Sequence, residues 1–277
     1  MSATRPITML IAALGGEGGG VLTDWIVRAA TMNGFAVQST SIPGVAQRTG
    51  ATTYYIEMLP QPANGKRPVL ALTPGVGDID IAVASELLEA GRTVANGFVT
   101  PERTTMIAST SRFFAMDEKV AMGDGRFDPD RLRKMIGENA REAMLLDMTA
   151  LAQQAGSIVN AVMLGAIAGS GRLPISNETF EAAIRADGKA VEGNLRGFRA
   201  GLEAIRAKAQ TAPAIPPKKN AAAGLAALEQ AAQQFPTPAQ PIVLEGVRRL
   251  TAYQNAAYAQ LYLDRLAPFR DGDERLL

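Results

Sequence analysis

The residues best suited to chemistry in this sequence sit in one glycine cluster. Gly15, Gly16, Gly18, Gly19 and Gly20 occupy five of six successive positions in "LGGEGGGVLTDWIVRAATMNG" and lead straight into a helical pattern. Glycines between a strand and a helix leave the first helical N–H groups free and let a ligand approach the backbone. The expected occupant is therefore an anion or a cofactor at the helix N-terminus, with Thr23 one turn in. The same glycines equally suit a tight turn and close strand–helix packing. No dinucleotide fingerprint is met, because Gly16-x-Gly18 is followed by Val21 and Gly18-x-Gly20 by Thr23. Gln38–Ser41 also stands where a ribose-binding carboxylate would end the second strand. Gly15-x4-Gly20 leads to Val21 rather than Lys, which removes the phosphate-loop motif of nucleoside triphosphatases.

A second segment, "SIPGVAQRTGATTYYIE", carries Gln47, Arg48, Thr49 and Gly50 between two predicted strands. Arg48 offers a fork of donors for phosphate or carboxylate, or alternatively a strut to a loop carbonyl or a neighbouring subunit. Asn96, in "TVANGFV", ends a further predicted strand, where turn chemistry competes with a site role. Asp78 and Asp80 alternate with isoleucines on a predicted strand and read as strand-edge solvation or helix caps rather than a catalytic pair. The chain has no Cys and no His. No thiolate cluster, zinc-finger site or Cys or His catalyst can be built from it alone, and neither catalytic nor metal-ligating residues are expected.

These candidates need elements to hold them. "ITMLIAAL" (7–14) reads as a strand covered on both faces. Val21, Leu22, Trp25, Ile26, Ala29 and Ala30 form one helical face, with Asp24 and Arg28 opposite and Asn33-Gly34 as the cap. A strand follows over 35–42, making a β-loop-α-β unit that favours a parallel crossover. Strands are further predicted over 51–59, 78–86, 93–99 and 104–110, and helices over 87–91 and 130–154. A buried helix is predicted over 157–171, and one capped by Ser176 or Asn177 over 176–186. Alternating strands and helices predict a three-layer, Rossmann-like α/β domain with a mostly parallel sheet, followed by a helical C-terminal part.

The expected domain limits are 1–206 for the α/β domain, 207–224 for a Pro-, Ala- and Lys-rich linker, and 225–277 for the helical segment. One helix through 242–266 would carry an apolar stripe (Val243, Val247, Leu250, Ala257, Leu261, Leu266) that needs another surface to cover it. The polar end "DGDERLL" suggests that more chain follows. A net charge of +1 gives no nucleic-acid footprint. Arg5 and the apolar run after it imitate a signal peptide, but glycines follow instead of a cleavage site. No apolar run approaches the ~20 residues that span a bilayer. A cytoplasmic protein is expected.

Five ordered motifs resemble the gamma domain of the 2-oxoacid:ferredoxin oxidoreductases, and most of all the indolepyruvate oxidoreductase beta subunit. They are "LGGEGGGVLTDWIVRAA", "IPGVAQRTGATTYYIE", "VANGFVTPER", "SIVNAVMLGAIAGSGRLPIS" and "AAIRADGKAVEGNLRGFRAGL". The segment around "YQNAAYAQLYLDRL" is similar to the start of a C-terminal extension in long forms of that subunit. The resemblance implies a non-catalytic subunit of an enzyme that oxidatively decarboxylates a 2-oxoacid to acyl-CoA or acid. Thiamine diphosphate and iron–sulfur clusters would lie on a large alpha subunit, ferredoxin would accept the electrons, and heterodimers would associate further. Coenzyme A would be shared, touching Gly15, Gly16, Gly18 to Gly20, Thr23 and Gln47 to Gly50. Glu17 departs from the Gln of many such domains. A carboxylate there satisfies free amides itself and repels phosphate. The competing expectation is a stand-alone nucleotide-binding or scaffold module of the same fold.

Overall fold

The computed structural model describes residues 5–42, 51–60, 68–113, 127–211, 222–253 and 255–270. The chain divides into two compact units, with the break after Thr211.

In the first unit, β1 (Ile7–Ala13) is apolar on both faces because it lies inside a sheet covered on both sides. The strand order is β2-β3-β1-β4-β5-β6, with β2 (Ala36–Ile42), β3 (Thr52–Leu59), β4 (Ile81–Ala84), β5 (Thr105–Ser109) and β6 (Glu142–Leu146). The pairings β1–β4, β4–β5 and β5–β6 are parallel, so the sheet is mostly parallel, as expected. One face is covered by α1 (Gly19–Met32), α4 (Met148–Ala155), α5 (Val159–Gly169), α6 (Asn177–Asp187) and α7 (Val191–Thr211). Met9, Ile11, Trp25, Phe180 and Phe198 fill that layer. The opposite face carries α2 (Leu87–Ala95) and α3 (Pro129–Asn139) over Leu10, Ile79, Met106 and Ile136. The three-layer α/β architecture is therefore observed.

Several sequence expectations change. The strand β2 is not the parallel neighbour of β1, because β3 lies between them and is antiparallel to both. The residues 93–99 are not a strand: α2 runs on to Ala95, and Asn96 is its C-cap. Asp78 and Asp80 precede β4 instead of lying on it, in a network with Arg5 and Arg103. The stretch 130–154 holds two helices with β6 between them, since pairing with β5 overrides the helical leaning of "EAMLL". Helix α7 continues to Thr211, past the expected boundary. Among the described residues no single helix is long and apolar enough to cross a membrane.

The tightest contact in this unit joins α5 to α7. A Cβ on Gly165 would collide with the Phe198 carbonyl and lie 2.8 Å from the Leu202 nitrogen. One on Gly169 would lie 2.9 Å from the Leu202 carbonyl oxygen, and one on Gly197 2.8 Å from Ser157 Cβ. The helices meet backbone to backbone, which only glycine permits. This explains why α5 is apolar all round and buried along most of its length.

The second unit is a three-helix cluster of α8 (Ala222–Ala232), α9 (Gln240–Tyr253) and α10 (Ala256–Leu266), ending in a 3-10 turn. The single long helix expected over 242–266 is broken, and Asn255 caps α10 through a bond from the Tyr258 N–H at 2.9 Å. Part of the stripe is therefore covered within the unit. Val243 and Val247 pack with Leu228, Phe235, Ala259 and Leu263 inside the unit, while Ala257 and Leu261 face solvent.

Gly165→Ala is expected to destabilise the protein by about 2–3 kcal/mol or to prevent folding, through overpacking. Gly137→Ala on α3, where a Cβ meets open space, is expected to stabilise by about 0.5–1 kcal/mol. Thermal unfolding of both variants checks the contrast.

Candidate functional site

Strand β1 sends the chain to α1 on one face, and its parallel neighbour β4 sends it to α2 on the other. Diverging connections from adjacent parallel strands open a crevice at their C-terminal ends, the usual ligand position in such sheets. The glycine loop lies there. Its start is tied across the crevice by the Leu14 N–H, which donates to Ser85 Oγ at 3.0 Å. The Glu17 N–H closes the turn onto the Leu14 carbonyl at 3.1 Å. Gly18 is the N-cap of α1, left-handed at φ 75°, and no side chain caps the helix. The first N–H groups of α1 are thus without a capping side chain at the head of the crevice.

The glycines divide by role. A Cβ on Gly18 would lie 2.9 Å from Asn160 Cγ, and one on Gly19 would lie 2.7 Å from Ala13 Cβ and 2.6 Å from the Tyr54 ring. Close packing demands these two. Gly15 and Gly16 meet no atom within 4 Å and line open space, Gly16 at φ 90°. Gly20 is looser, 3.7 Å from the Tyr54 hydroxyl. Thr23 is buried, and its hydroxyl donates to the Gly19 carbonyl at 2.9 Å, so it is committed within its own helix.

Acceptor oxygens crowd this edge. Glu17 Oε2 and Asn160 Oδ1 are both buried without a hydrogen-bond partner among the described residues. Asn160 donates its amide to the Gly18 carbonyl at 3.2 Å and so ties α5 to the loop. Burial raises the Glu17 carboxyl above its ordinary 4.5, opposed in part by Ser85 and the Leu14 backbone. Burial likewise pushes Glu86 up, against the amides at Leu88, Glu89 and Phe113 and the Arg112 guanidinium. Glu86 caps α2 by accepting from Glu89 N–H at 2.9 Å, and its second oxygen accepts from Phe113 N–H at 3.3 Å.

Gln47, Arg48, Thr49 and Gly50 lie outside the described residues. The strands flanking that segment end at this same edge, for Ile42 pairs with Thr53 and Ala13 with Thr52. Asn96 is elsewhere. It closes the far end of α2, nine residues on and hence ~13 Å from the end that adjoins the crevice. There it lines a cleft of about 240 Å³ with Thr53, Glu89 and Arg92. Sequence reasoning passed over Ser85, Glu86 and Asn160. Asn160 carried a readable signal, as the lone polar residue within an otherwise apolar helix. Val21, Ile42, Phe113 and Ile158 are exposed and lie on segments that begin or end at this edge.

A carboxyl raised by burial destabilises the folded state once it ionises. Its folded pKa exceeds the unfolded one, so stability is greatest below the ordinary 4.5 and falls as pH rises through the folded value. Glu17→Gln is expected to raise the melting temperature at pH 7, with the gain vanishing below pH 4.5. Melting curves of both proteins across that range test it.

Solved structures share this architecture. The pyruvate oxidoreductase subunit PORC from Thermotoga maritima is 18% identical at a TM-score of 0.50, over 72% of this chain and 96% of its own. A 2-oxoglutarate:ferredoxin oxidoreductase from Magnetococcus marinus, solved with 2-oxoglutarate, coenzyme A and succinyl-CoA bound, is 17% identical at a TM-score of 0.52. It covers 97% of this chain and 42% of its own. Among sequences, the indolepyruvate oxidoreductase subunit IorB of Thermococcus kodakarensis is 26% identical over 208 residues, 73% of this chain and 97% of that subunit. The IorB of Archaeoglobus fulgidus is 25% identical over 202 residues, 70% and 93% of the two chains. Residues 239–276 match a family of unknown function, DUF6537. Residues 8–204 match the profile of pyruvate ferredoxin/flavodoxin oxidoreductases, and the chain belongs to that family.

Proposed function

We propose that this chain is the non-catalytic subunit of a 2-oxoacid:ferredoxin oxidoreductase acting on indolepyruvate or a related arylpyruvate. The observation that carries the proposal is the switch-point crevice, with exposed Val21, Ile42, Phe113 and Ile158 on segments that begin or end at its edge, on a unit similar end to end to IorB subunits. Exposed apolar side chains at a crevice edge suit a face completed by another subunit. That partner is a large alpha subunit holding thiamine diphosphate and iron–sulfur clusters, with ferredoxin as acceptor and heterodimers associating further in the cytoplasm. The composition fits that division, since a chain without Cys or His has no side chains to ligate iron–sulfur clusters. Among its described residues no group of His, Cys, Asp and Glu is placed to hold a metal ion.

Coenzyme A is the cofactor this edge would share. The α1 amides suit an acceptor oxygen, but the Glu17 carboxyl beside them disfavours a phosphate. The amide-bearing pantetheine arm fits the chemistry better. Its carbonyl oxygens accept from the helix N-terminus, and its N–H groups donate to Glu17 or Asn160 oxygens. Bound there, coenzyme A supplies the thiol that takes up the acyl group, and this chain only orients it.

The test is affinity purification from the native host. It is followed by an anaerobic dye-reduction assay with indolepyruvate, thiamine diphosphate and coenzyme A. A large cysteine-rich partner is expected to co-purify, with activity in the pair and none in this chain alone. Arg48→Ala and Gly16→Val in the pair are expected to raise the coenzyme A KM about tenfold while changing the indolepyruvate KM little. Recovery of the chain alone as a monomer would refute the subunit assignment and favour a stand-alone ligand-binding module.

A further inference from the structure

The opposite edge of the sheet carries a different kind of site. Arg5 precedes β1, Asp80 precedes β4, Arg103 precedes β5 and Arg141 precedes β6, so the topology gathers them where the parallel strands begin. With Arg172, after α5, and Thr105 they line a cleft of about 200 Å³. Arg5 and Arg103 both pair with Asp78 and with Asp80, the Arg103 Nε–Asp80 Oδ1 contact being 3.0 Å. Arg172 pairs with Glu142. Four guanidiniums therefore face three carboxylates.

Arg141 is the unmatched one. Its backbone N–H donates to the Thr104 carbonyl at 2.9 Å, and its side chain has no ion pair or hydrogen bond among the described residues. Arg5 and Arg103 sit close enough that burial and Arg5 together push the Arg103 pKa down. Like charges held side by side around a cleft, with a further guanidinium spare, suit an incoming anion with several oxygens. Guanidinium forks match phosphate and carboxylate alike, and bonds between ionised partners are the strong ones.

We propose that this arginine cleft binds a small multivalent oxyanion, a phosphate ester or a polycarboxylate, held by Arg141 and Arg172 at the edge remote from the glycine loop. It lies at the opposite sheet edge from the crevice.

The experiment is calorimetric titration of the full chain at low ionic strength, with pyrophosphate as the phosphate probe and citrate as the carboxylate probe. Saturable one-to-one binding of either supports the site, and the tighter probe names the source. Arg141→Ala is expected to weaken that binding about tenfold or more. Arg131→Ala, an exposed arginine on α3, serves as the control and is expected to leave it unchanged. Arg141→Gln is the second variant, and melting curves show that each variant is folded. Three results would overturn the proposal: no saturable heat with either probe, binding that survives both Arg141 changes, or binding of polyglutamate and of neither small probe.

Discussion

The arrangement of the crevice edge depends on one contact, the backbone-to-backbone crossing of α5 and α7. A helix that buries every face has no free surface on which to adjust, so its position is set by how near its neighbours come. Gly165 and Gly169 on α5, with Gly201 on α7, bring the helices close enough for carbonyl groups to stand where side chains would be. That fixes the height of α5 above the sheet and brings Asn160, near its N-terminus, onto the Gly18 carbonyl. The glycine loop is thus held by a residue more than a hundred positions away, through a helix that makes no chemical contribution itself. Because interiors pack like crystals, a small shift in this crossing would reach the loop almost undiminished.

The held edge is unusual in its balance of donors and acceptors. A bare helix N-terminus attracts negative charge, yet two buried acceptor oxygens beside this one have no partner among the described residues. Unpaired buried polar groups are rare in native folds, and each is a cost that something must offset. A ligand or partner bearing both acceptors and donors resolves both needs together. A simple phosphate resolves only the first. The same reasoning separates this edge from the arginine-lined one below it, where donors are in excess.

Much of this was readable from residue order. The buried strand before the glycines, the amphipathic α1 and the all-apolar α5 follow from hydrophobic period alone, because local pattern and tertiary burial agree there. The glycine loop was found but only partly understood. Neither the packing duty of Gly18 and Gly19 nor the inward commitment of Thr23 is visible without Asn160, Tyr54 and Ala13 in place. Other features were hidden for identifiable reasons. "TVANGFV" has strand-like residues, but its N–H groups are satisfied as the end of α2. "EAMLL" has helix-forming residues, but β5 offers a ladder that outweighs them. No local signal reveals that β3 inserts between β1 and β2, because strand order is decided by which edges remain to be paired. Ser85 and Glu86 read as an ordinary strand end, and only the divergence of two connections gives them a place beside the crevice.

The antiparallel insertion of β3 carries a consequence for how such subunits diversify. The segment between Ile42 and Ala51 joins adjacent antiparallel strands, so both its ends are anchored in one ladder at the crevice edge. A connection of this kind can gain or lose residues at little entropic cost and without disturbing the register of any strand. The glycine loop has no such licence, since its length is fixed by a strand on one side and a packed helix on the other. The chain between those two anchors is thus free to drift in sequence while the glycine loop is held to a template. Selection for a new substrate or partner has its easiest path along the first.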